Sequence, residues 1–139
     1  MLILDTNHFR EFAEQRMIGQ KLIQRLDESK DEAFLTVITA EEALKGWLAQ
    51  IQPHRQRDRG VRAYHDFQEC MDGLAKWFLL PWTHEAADNF DRLRDEKVNI
   101  GTMDLRIASI ALEYNATVLT RNLVDFTKVP GLRVENWLD

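Results

Sequence analysis

The feature that most constrains the fold is the alternation of short apolar runs with segments of helical spacing along the chain. Four apolar runs are short enough to be buried strands, at residues 2–4, 34–38, 78–80 and 116–119. Between them, apolar residues recur every three or four positions, which is the spacing of one helix face. Strands that alternate with helices favour an α/β fold with a short, mostly parallel central sheet.

The helical segments also carry predictions about burial. Apolar residues of the third such segment share one helix face, which we expect to be core: Val61, Tyr64, Phe67, Met71, Leu74 and Phe78. An earlier segment has a similar face, formed by Ala43, Leu44, Trp47, Leu48 and Ile51. Thr83 is a predicted N-cap, and the segment 103–114 is apolar nearly all round, so its helix should be deeply packed. For Trp47, Trp77 and Trp82 we expect burial in the core, with anchoring of a protein interface as the alternative.

Length and charge limit the classes of protein that this chain can represent. A chain of 139 residues with 45% apolar content suits one domain, which we expect to span residues 1–139. The net charge of −5 and the pI near 5.4 argue against a protein that grips nucleic acid through bulk positive charge. A local basic stretch could still do so, and its members are His54, Arg55, Arg57, Arg59 and Arg62. A solvated loop and helix start explains the same residues equally well.

The sequence also predicts the cellular compartment. We see no basic leader and no run of about eighteen apolar residues, so we expect neither secretion nor a membrane span. The only cysteine, Cys70, has no partner for an internal disulfide and lies among apolar residues of a predicted helix. We therefore expect a cytoplasmic protein in which Cys70 is part of the core.

Acidic residues follow the predicted strands at the edge where sites form in parallel sheets. Asp5 comes directly after the first strand, Glu42 lies a few residues past the second, and Asp104 opens the most buried helix. Asn122 and Asp125 lie past the fourth strand. Carboxylates that meet at one edge repel each other unless they share a cation, and oxygen ligands suit Mg²⁺ or Mn²⁺. Zinc is not expected, because the histidines show no ligand-type spacing.

Each acid also has a structural explanation, and the residues alone leave both open. Thr39 and Glu42 fit a capping box, in which Thr39 caps the helix and Glu42 reaches back to the Thr39 amide. Asp104 would be stabilised by the helix dipole whatever its function. Asp5 could begin an Asx-turn at the end of its strand.

Five segments, in order along nearly the whole chain, resemble the PIN-domain nucleases, and specifically the VapC-type toxins of type II toxin–antitoxin systems. The segments are Leu4-Asp5-Thr6-Asn7, Thr39-Ala40-Glu41-Glu42 with Gly46, residues 100–108 around Asp104, Thr120-Arg121-Asn122 with Asp125-Phe126, and residues 129–137. The resemblance implies a PIN-like three-layer α/β/α domain. It also implies hydrolysis of RNA phosphodiester bonds, a homodimer, and a cognate antitoxin whose peptide covers the groove of the toxin.

The resemblance implies roles for individual residues as well. Asp5, Glu42 and Asp104 match the acidic core that would hold Mg²⁺ or Mn²⁺. Asn122 stands at the family's fourth acidic position, which is a departure from the four-acid pattern. Whether Asp125 supplies the missing negative charge is left open, and we count both Asn122 and Asp125 as candidate catalytic residues.

Two other readings compete with a nuclease. The first is a catalytically silent PIN-like module that binds a protein partner or RNA without cutting it, because Asn122 thins the acid cluster. The second is a phosphatase in which Asp5 is the nucleophile. The second reading is disfavoured, because such enzymes usually place another aspartate two residues later, where this chain has Asn7.

Overall fold

The sheet at the centre of the molecule has five strands, all parallel. The computed structural model describes residues 1–54 and 56–139, with the side chain of His54 left out. The strands are β1 (Leu2–Leu4), β2 (Ala33–Thr36), β3 (Leu79–Leu80), β4 (Thr117–Leu119) and β5 (Arg133–Glu135). Their order across the sheet is β3-β2-β1-β4-β5, with Ile3 of β1 paired to Phe34 on one side and Val118 on the other. The predicted α/β fold with a parallel sheet is confirmed.

Seven α-helices lie within the described part of the chain and connect the strands. They are α1 (Thr6–Glu14), α2 (Met17–Ser29), α3 (Val37–Ile51), α4 (Arg57–Ala75), α5 (His84–Asp95), α6 (Thr102–Glu113) and the short α7 (Leu123–Phe126), and a 3₁₀ turn at Gln52–His54 follows α3. Thr83 caps α5 as predicted, because its Oγ1 accepts a hydrogen bond from the Ala86 amide. No helix of the described residues combines the length and apolar character that a membrane crossing requires.

Alternate residues of the central strand face two separate apolar layers. Ile3 packs into a cluster with residues of α5 and α6, whereas Leu2 and Leu4 pack into a cluster with residues of α1 and α2. This alternation is the pleat of a strand covered on both faces. Six residues of α6 are buried, as its apolar sequence predicts. The predicted three-layer α/β/α arrangement therefore follows from which residues each face buries.

The second strand ends earlier than predicted, and the predicted capping box is wrong. Thr36 is the N-cap of α3, with its Oγ1 accepting from the Thr39 amide at 3.2 Å. Thr39 lies inside the helix, buried, and its hydroxyl has no partner among the described residues. Both threonines fit the sequence signal of a cap, and the one closer to the strand takes the role. Glu42 is thereby released from the backbone and available for the site.

The predicted core stripe along α4 is wrong at four of its six residues. Val61 is 68% exposed and Tyr64 is 60% exposed, and Met71 and Phe78 are exposed as well. The buried residues of α4 are Gly60, Ala63 and Leu74, so of the predicted stripe only Leu74 is buried, and Phe67 is half-buried. On α3, Ile51 is buried but Trp47 and Leu48 are exposed. Helical spacing identified an apolar face, but it could not show whether that face meets this chain or another molecule.

The remaining burial predictions gave mixed results. Trp77 is half-buried, with its ring edge-on to Phe12 at 5.0 Å between centroids, whereas Trp82 is exposed. Cys70 is half-buried and packs against the layer of α1 and α2, and burial raises the pKa of its thiol.

One glycine fixes how the first two helices meet. A Cβ at Gly19 would lie 2.0 Å from the carbonyl oxygen of Glu11, inside the contact distance of any pair of atoms. Gly19 is buried in α2 and so allows that helix to rest directly on the backbone of α1. The position of α1 matters for function because it starts at Asp5.

Candidate functional site

Asp5 stands at the carboxyl end of β1 and caps α1. Its Oδ1 accepts a hydrogen bond from the His8 amide at 2.9 Å, and the His8 Nδ1 lies 3.2 Å from the same oxygen. The Trp137 amide donates to His8 Nε2 at 3.3 Å, and because an amide N–H can only donate, Nε2 carries no proton. The proton of the buried ring is therefore on Nδ1 and points to Asp5. Asp5 thus has the structural role of a helix cap, but that role occupies only one of its two oxygens.

Glu42 lies on the second turn of α3 and is half-buried. Its Oε1 accepts a hydrogen bond from the hydroxyl of Thr6 at 2.7 Å. Thr6 follows Asp5 directly, so this contact ties the first and second acids of the site to the same turn of α1. The second oxygen of Glu42 has no donor among the described residues.

Asp104 is the third residue of α6 and is half-buried. Loss of solvent is the main cause that raises the pKa of Asp104, and a hydrogen bond from Asn122 Nδ2 at 3.2 Å opposes that rise. Repulsion raises the pKa further, and it comes from Glu42, Asp5 and Asp125. The structure therefore brings together carboxylates from four distant parts of the sequence.

The two remaining candidates lie at the outer side of this cluster, after β4. The amide nitrogen of Asn122 donates to Asp104 Oδ2 and also to Asp125 Oδ2, at 2.9 Å. The other oxygen of Asp125 lies 3.3 Å from the Lys128 ammonium. Hydrogen bonds from Asn122 and Lys128 lower the pKa of Asp125. Thr120, which is buried, holds Asn122 in place by accepting from its backbone amide at 2.9 Å.

A common pattern emerges in the three acids that sequence reasoning chose as ligands. In each of them one oxygen is held by a donor of the protein, from His8, Thr6 or Asn122 respectively. The other oxygen has no donor among the described residues. Asp125 differs, because both of its oxygens are engaged. We call Asp5, Glu42 and Asp104 the acid cluster.

The chemistry of the acid cluster fits a divalent cation that prefers oxygen ligands. Carboxylates are the usual protein ligands of Mg²⁺ and Mn²⁺, and a cation among them would remove the repulsion that raises the pKa of Asp104. Within the described residues, no three histidine, cysteine or acidic side chains are spaced to hold a metal ion as they stand. Closing the cluster around one ion therefore requires its carboxylates to move together.

A wide groove opens beside the acid cluster between α1, α3 and α4. It has a volume of about 940 Å³, and Thr6 and Glu42 line the end that adjoins the cluster. Its charged lining is mixed, with four arginines and four acids: Arg10, Arg16, Arg59, Arg62, Glu14, Glu42, Asp66 and Glu69. We call this depression the mixed groove.

The basic stretch singled out in the sequence contributes to the mixed groove only in part. Arg59 and Arg62 line it, and Arg57 is exposed at the start of α4. Arg55 and the side chain of His54 lie outside the described residues. The stretch thus reaches the neighbourhood of the site, but it faces acids as well as solvent.

Sequence reasoning missed the part that His8 plays. The sequence showed only that the histidines lack the spacing of zinc ligands, whereas the structure places the His8 ring between Asp5 and the Trp137 amide. The one signal in the sequence was its position three residues after Asp5, which is one helical turn. Its second partner lies 129 residues away and gives no local signal.

Comparison with known proteins identifies relatives of the chain. It is 32% identical over 108 residues to the Ribonuclease VapC of Rickettsia bellii, which is 75% of each protein. It is 44% identical over 45 residues to Ribonuclease VapC2 of Rickettsia felis, which is 32% of this chain and 34% of that protein. No family model matches the chain.

Solved structures agree with the predicted PIN-like fold. VapBC2 from Rickettsia felis, solved with a DNA fragment from their promoter, superimposes with a TM-score of 0.72 at 20% identity and covers 98% of each chain. At that identity the match supports the fold, while the curated sequence relative supports the family. The chain belongs to the VapC family of ribonucleases.

Proposed function

We propose that this protein is a metal-dependent endoribonuclease that acts in the cytoplasm as the toxin of a toxin–antitoxin pair. Its sequence relatives are named ribonucleases, and its structural neighbours include VapBC complexes. The observation that carries the proposal is the convergence of Asp5, Glu42 and Asp104, each with one oxygen held by the protein and one without a protein donor.

Asp5, Glu42 and Asp104 would hold Mg²⁺ or Mn²⁺. When bound, such a metal lowers the pKa of a water molecule and neutralises charge on the phosphate that is attacked. The protein's own contribution is orientation. His8 fixes the rotation of Asp5, Thr6 fixes Glu42, and Asn122 fixes Asp104, as partners of metal ligands commonly do.

Asp125 acts on the outside of the cluster as a positioning residue. Both of its oxygens are engaged, so it orients the Asn122 amide and anchors Lys128. The Lys128 ammonium offsets one negative charge at the outer edge of the site. This arrangement explains how a chain with asparagine at the fourth acidic position can still hold the metal with three acids.

Cleavage of RNA by purified protein freed of any partner tests the proposal. We expect cutting only with added Mg²⁺ or Mn²⁺, and a loss of at least about 100-fold in Asp5→Asn and Asp104→Asn, because each removes a ligand charge. Asp125→Asn is the matched control, since it makes the same chemical change beside the cluster. We expect it to stay within about ten-fold of the wild type. Circular dichroism and thermal melting should show that all three variants fold.

Two results would contradict a metal-dependent nuclease. One is RNA cleavage that continues in excess EDTA. The other is full activity in the Asp5→Asn, Asp104→Asn double variant. Folded wild-type protein that binds RNA but never cuts it would instead support the silent PIN-like module.

The cognate antitoxin is proposed to occupy the mixed groove. The groove has apolar as well as charged walls, and Thr6 and Glu42 are among the residues that line it. A peptide with its own mixture of side chains would satisfy such walls, and a basic side chain at its end would meet the acid cluster. Expression in a bacterium without an antitoxin should arrest growth. Normal growth with folded wild-type protein present would argue against the toxin role.

A homodimer is the remaining part of the proposal. Val61, Tyr64 and Met71 lie on α4 and are exposed, yet none of them lines the mixed groove. Exposed apolar patches commonly mark contact with another protein, and a second copy is the partner that the family suggests. Light scattering should give the mass of a dimer for the wild type and of a monomer for Tyr64→Glu. An unchanged mass in that variant would place the dimer contact elsewhere.

A further inference from the structure

A second cavity lies where α5 connects to α6, and its charge is one-sided. It has a volume of about 520 Å³ and is lined by Arg94, Lys97 and Arg106 together with Phe90, Asn99, Thr102 and three apolar residues, but by no acidic residue. We call it the cationic pocket. Three positive charges around one cavity are notable in a protein with a net charge of −5.

Two of the three cations of the pocket contact an aromatic ring rather than an acid. Among the described residues, none of the three has a carboxylate within ion-pair distance, whereas Arg92 on the same helix pairs with Glu96. The guanidinium groups of Arg94 and Arg106 lie 5.5 Å and 5.6 Å from the centre of the Phe90 ring. Such cation–π contacts restrain the two arginines without neutralising them. The pocket is therefore preorganised for an anion.

The start of α6 adds to the positive field. Thr102, its first residue, lines the pocket, and the helix has no side-chain cap at its N-terminus. The amides at a helix N-terminus carry partial positive charge and favour phosphate.

The cationic pocket is connected to the acid cluster by a chain of contacts. Asn99, which lines the pocket, accepts a hydrogen bond through its carbonyl from Lys128 at 3.4 Å. Lys128 contacts Asp125, and Asp125 is joined to Asp104 through the Asn122 amide. Four contacts thus join the pocket to Asp104, one of the acids that would hold the metal.

We propose that the cationic pocket binds a phosphate group of the RNA strand next to the bond that is cut. This inference rests on the proposed function and extends it to how the substrate is held. Arginine suits the role, because its planar donors match two phosphate oxygens. RNA is favoured over an acidic protein, because it carries phosphates at regular spacing that can reach the metal-loaded cluster and the pocket together. A carboxylate-rich peptide offers no such pair of groups.

The test is the affinity for a labelled single-stranded RNA oligonucleotide, measured by fluorescence anisotropy in EDTA so that no metal-dependent cleavage occurs. The double variant Arg94→Gln, Lys97→Gln removes two exposed charges and should fold normally. We expect binding about ten-fold weaker and a slope of log affinity against log salt that is smaller by about 0.7, which is the contribution of one phosphate contact in a single strand. The control is Arg92→Gln, which removes one positive charge from α5 outside the pocket and should leave both values unchanged.

A parallel cleavage assay with Mg²⁺ separates this inference from the proposed function. In the double variant we expect KM to rise about ten-fold while kcat stays within two-fold, because the pocket holds substrate away from the reacting bond. If the wild type cuts RNA and the double variant behaves like Arg92→Gln, the pocket inference is overturned and the nuclease stands. If the wild type binds RNA through the pocket but does not cut it, the nuclease fails and the pocket stands.

Two further outcomes count against the pocket inference. Failure of the wild type to bind RNA overturns it directly. Loss of poly-glutamate binding in the double variant, with RNA binding unchanged, overturns it as well and assigns the pocket to an acidic protein.

Discussion

Two concavities flank the acid cluster, and they differ in how their charge is arranged. The mixed groove sets four arginines against four acids and adds apolar walls such as Phe9 and Trp47. The cationic pocket is smaller and has three cations and no acid. The mixed groove therefore presents a surface of both charges with little net charge, and the cationic pocket presents positive charge alone.

This difference teaches that the ligand of a concavity follows from its local charge rather than from that of the protein. In the mixed groove, positive and negative side chains lie side by side, so their electric fields largely cancel for a flexible polyanion that approaches from solvent. The mixed groove therefore favours a partner whose side chains pair individually with those of the groove. Like charges in a pocket add, so the cationic pocket attracts phosphate even though the protein is acidic overall. The net charge of −5 argued against bulk electrostatic binding of nucleic acid, and it gave no information about this pocket.

Charge reversal should separate the two concavities most strongly. Arg94→Glu with Lys97→Glu should weaken RNA binding by about 100-fold, because it replaces attraction with repulsion. Arg59→Glu with Arg62→Glu makes the same change in the mixed groove and should cost less than about five-fold. Anisotropy at low salt measures both. Equal losses of RNA affinity in the two double variants would contradict the proposed difference between the concavities. They would indicate that RNA also contacts the basic stretch of α4.

The wall of the mixed groove that α1 forms should depend on the packing of α2 against α1. Substitution of two glycines tests this dependence. Gly19→Ala should destabilise the fold by about 2–4 kcal/mol, because a methyl group there meets the Glu11 carbonyl and pushes α2 away from α1. Gly46→Ala is the control. It lines the same groove with open space around it and should stabilise α3 by up to about 1 kcal/mol. Urea unfolding gives both values, and wild-type stability in Gly19→Ala would refute the close contact.

A substitution of His8 measures how much its ring contributes to the positioning of Asp5. His8→Leu removes the ring donor to Asp5, keeps the backbone donor, and leaves the Trp137 amide without its acceptor, so we expect a loss of about 1–3 kcal/mol in stability. The affinity for Mn²⁺, measured by calorimetry, should fall by about ten-fold or more. His65→Leu, on an exposed face of α4, should change stability by less than about 0.5 kcal/mol. Unchanged Mn²⁺ affinity in His8→Leu would mean that Asp5 needs no support from the ring.

The smallest expected effect is the dependence of stability on pH at Asp104. Its pKa in the folded state is raised above the ordinary value of 3.8, so ionisation costs the folded protein more than the unfolded chain. The wild type therefore loses stability as the pH rises from that value through the raised pKa. In EDTA at neutral pH, Asp104→Asn should melt a few degrees higher, and the difference should disappear below about pH 3.8. A variant that melts lower at neutral pH would contradict repulsion within the cluster.

The sequence could predict where Asp5, Glu42 and Asp104 lie because those positions depend only on the order of the strands and helices. Asp5 follows a strand directly, and parallel strands end at one edge, so the position of an acid after a strand is enough to place it. The same logic does not reveal which oxygen is held by which donor. The contact of Thr6 with Glu42 depends on the start of α3, which the sequence placed three residues too late.

The cationic pocket was not predicted, because acidic residues lie between and beside its cations in the sequence. Arg94 and Lys97 stand with Arg92 among Asp91, Asp95 and Glu96, so the net charge of residues 91–97 is zero. Folding turns those acids away from the cavity, and α6 adds Arg106 from the other side. Similarly, the apolar stripe of α4 had the spacing of a core face, but only the packing of Ala63 and Leu74 shows which side of the helix meets the rest of the chain.

The bridge from Asp5 through His8 to Trp137 has a consequence for protein synthesis. The amide that completes the support of Asp5 is added to the growing chain 132 residues after Asp5 itself. Asp104 and Asn122 also come late, so a growing chain carries only a fragment of the cluster. A growing chain therefore carries all three acids and Asn122 only after residue 122 has been added, and the full support of Asp5 only after Trp137 has been added.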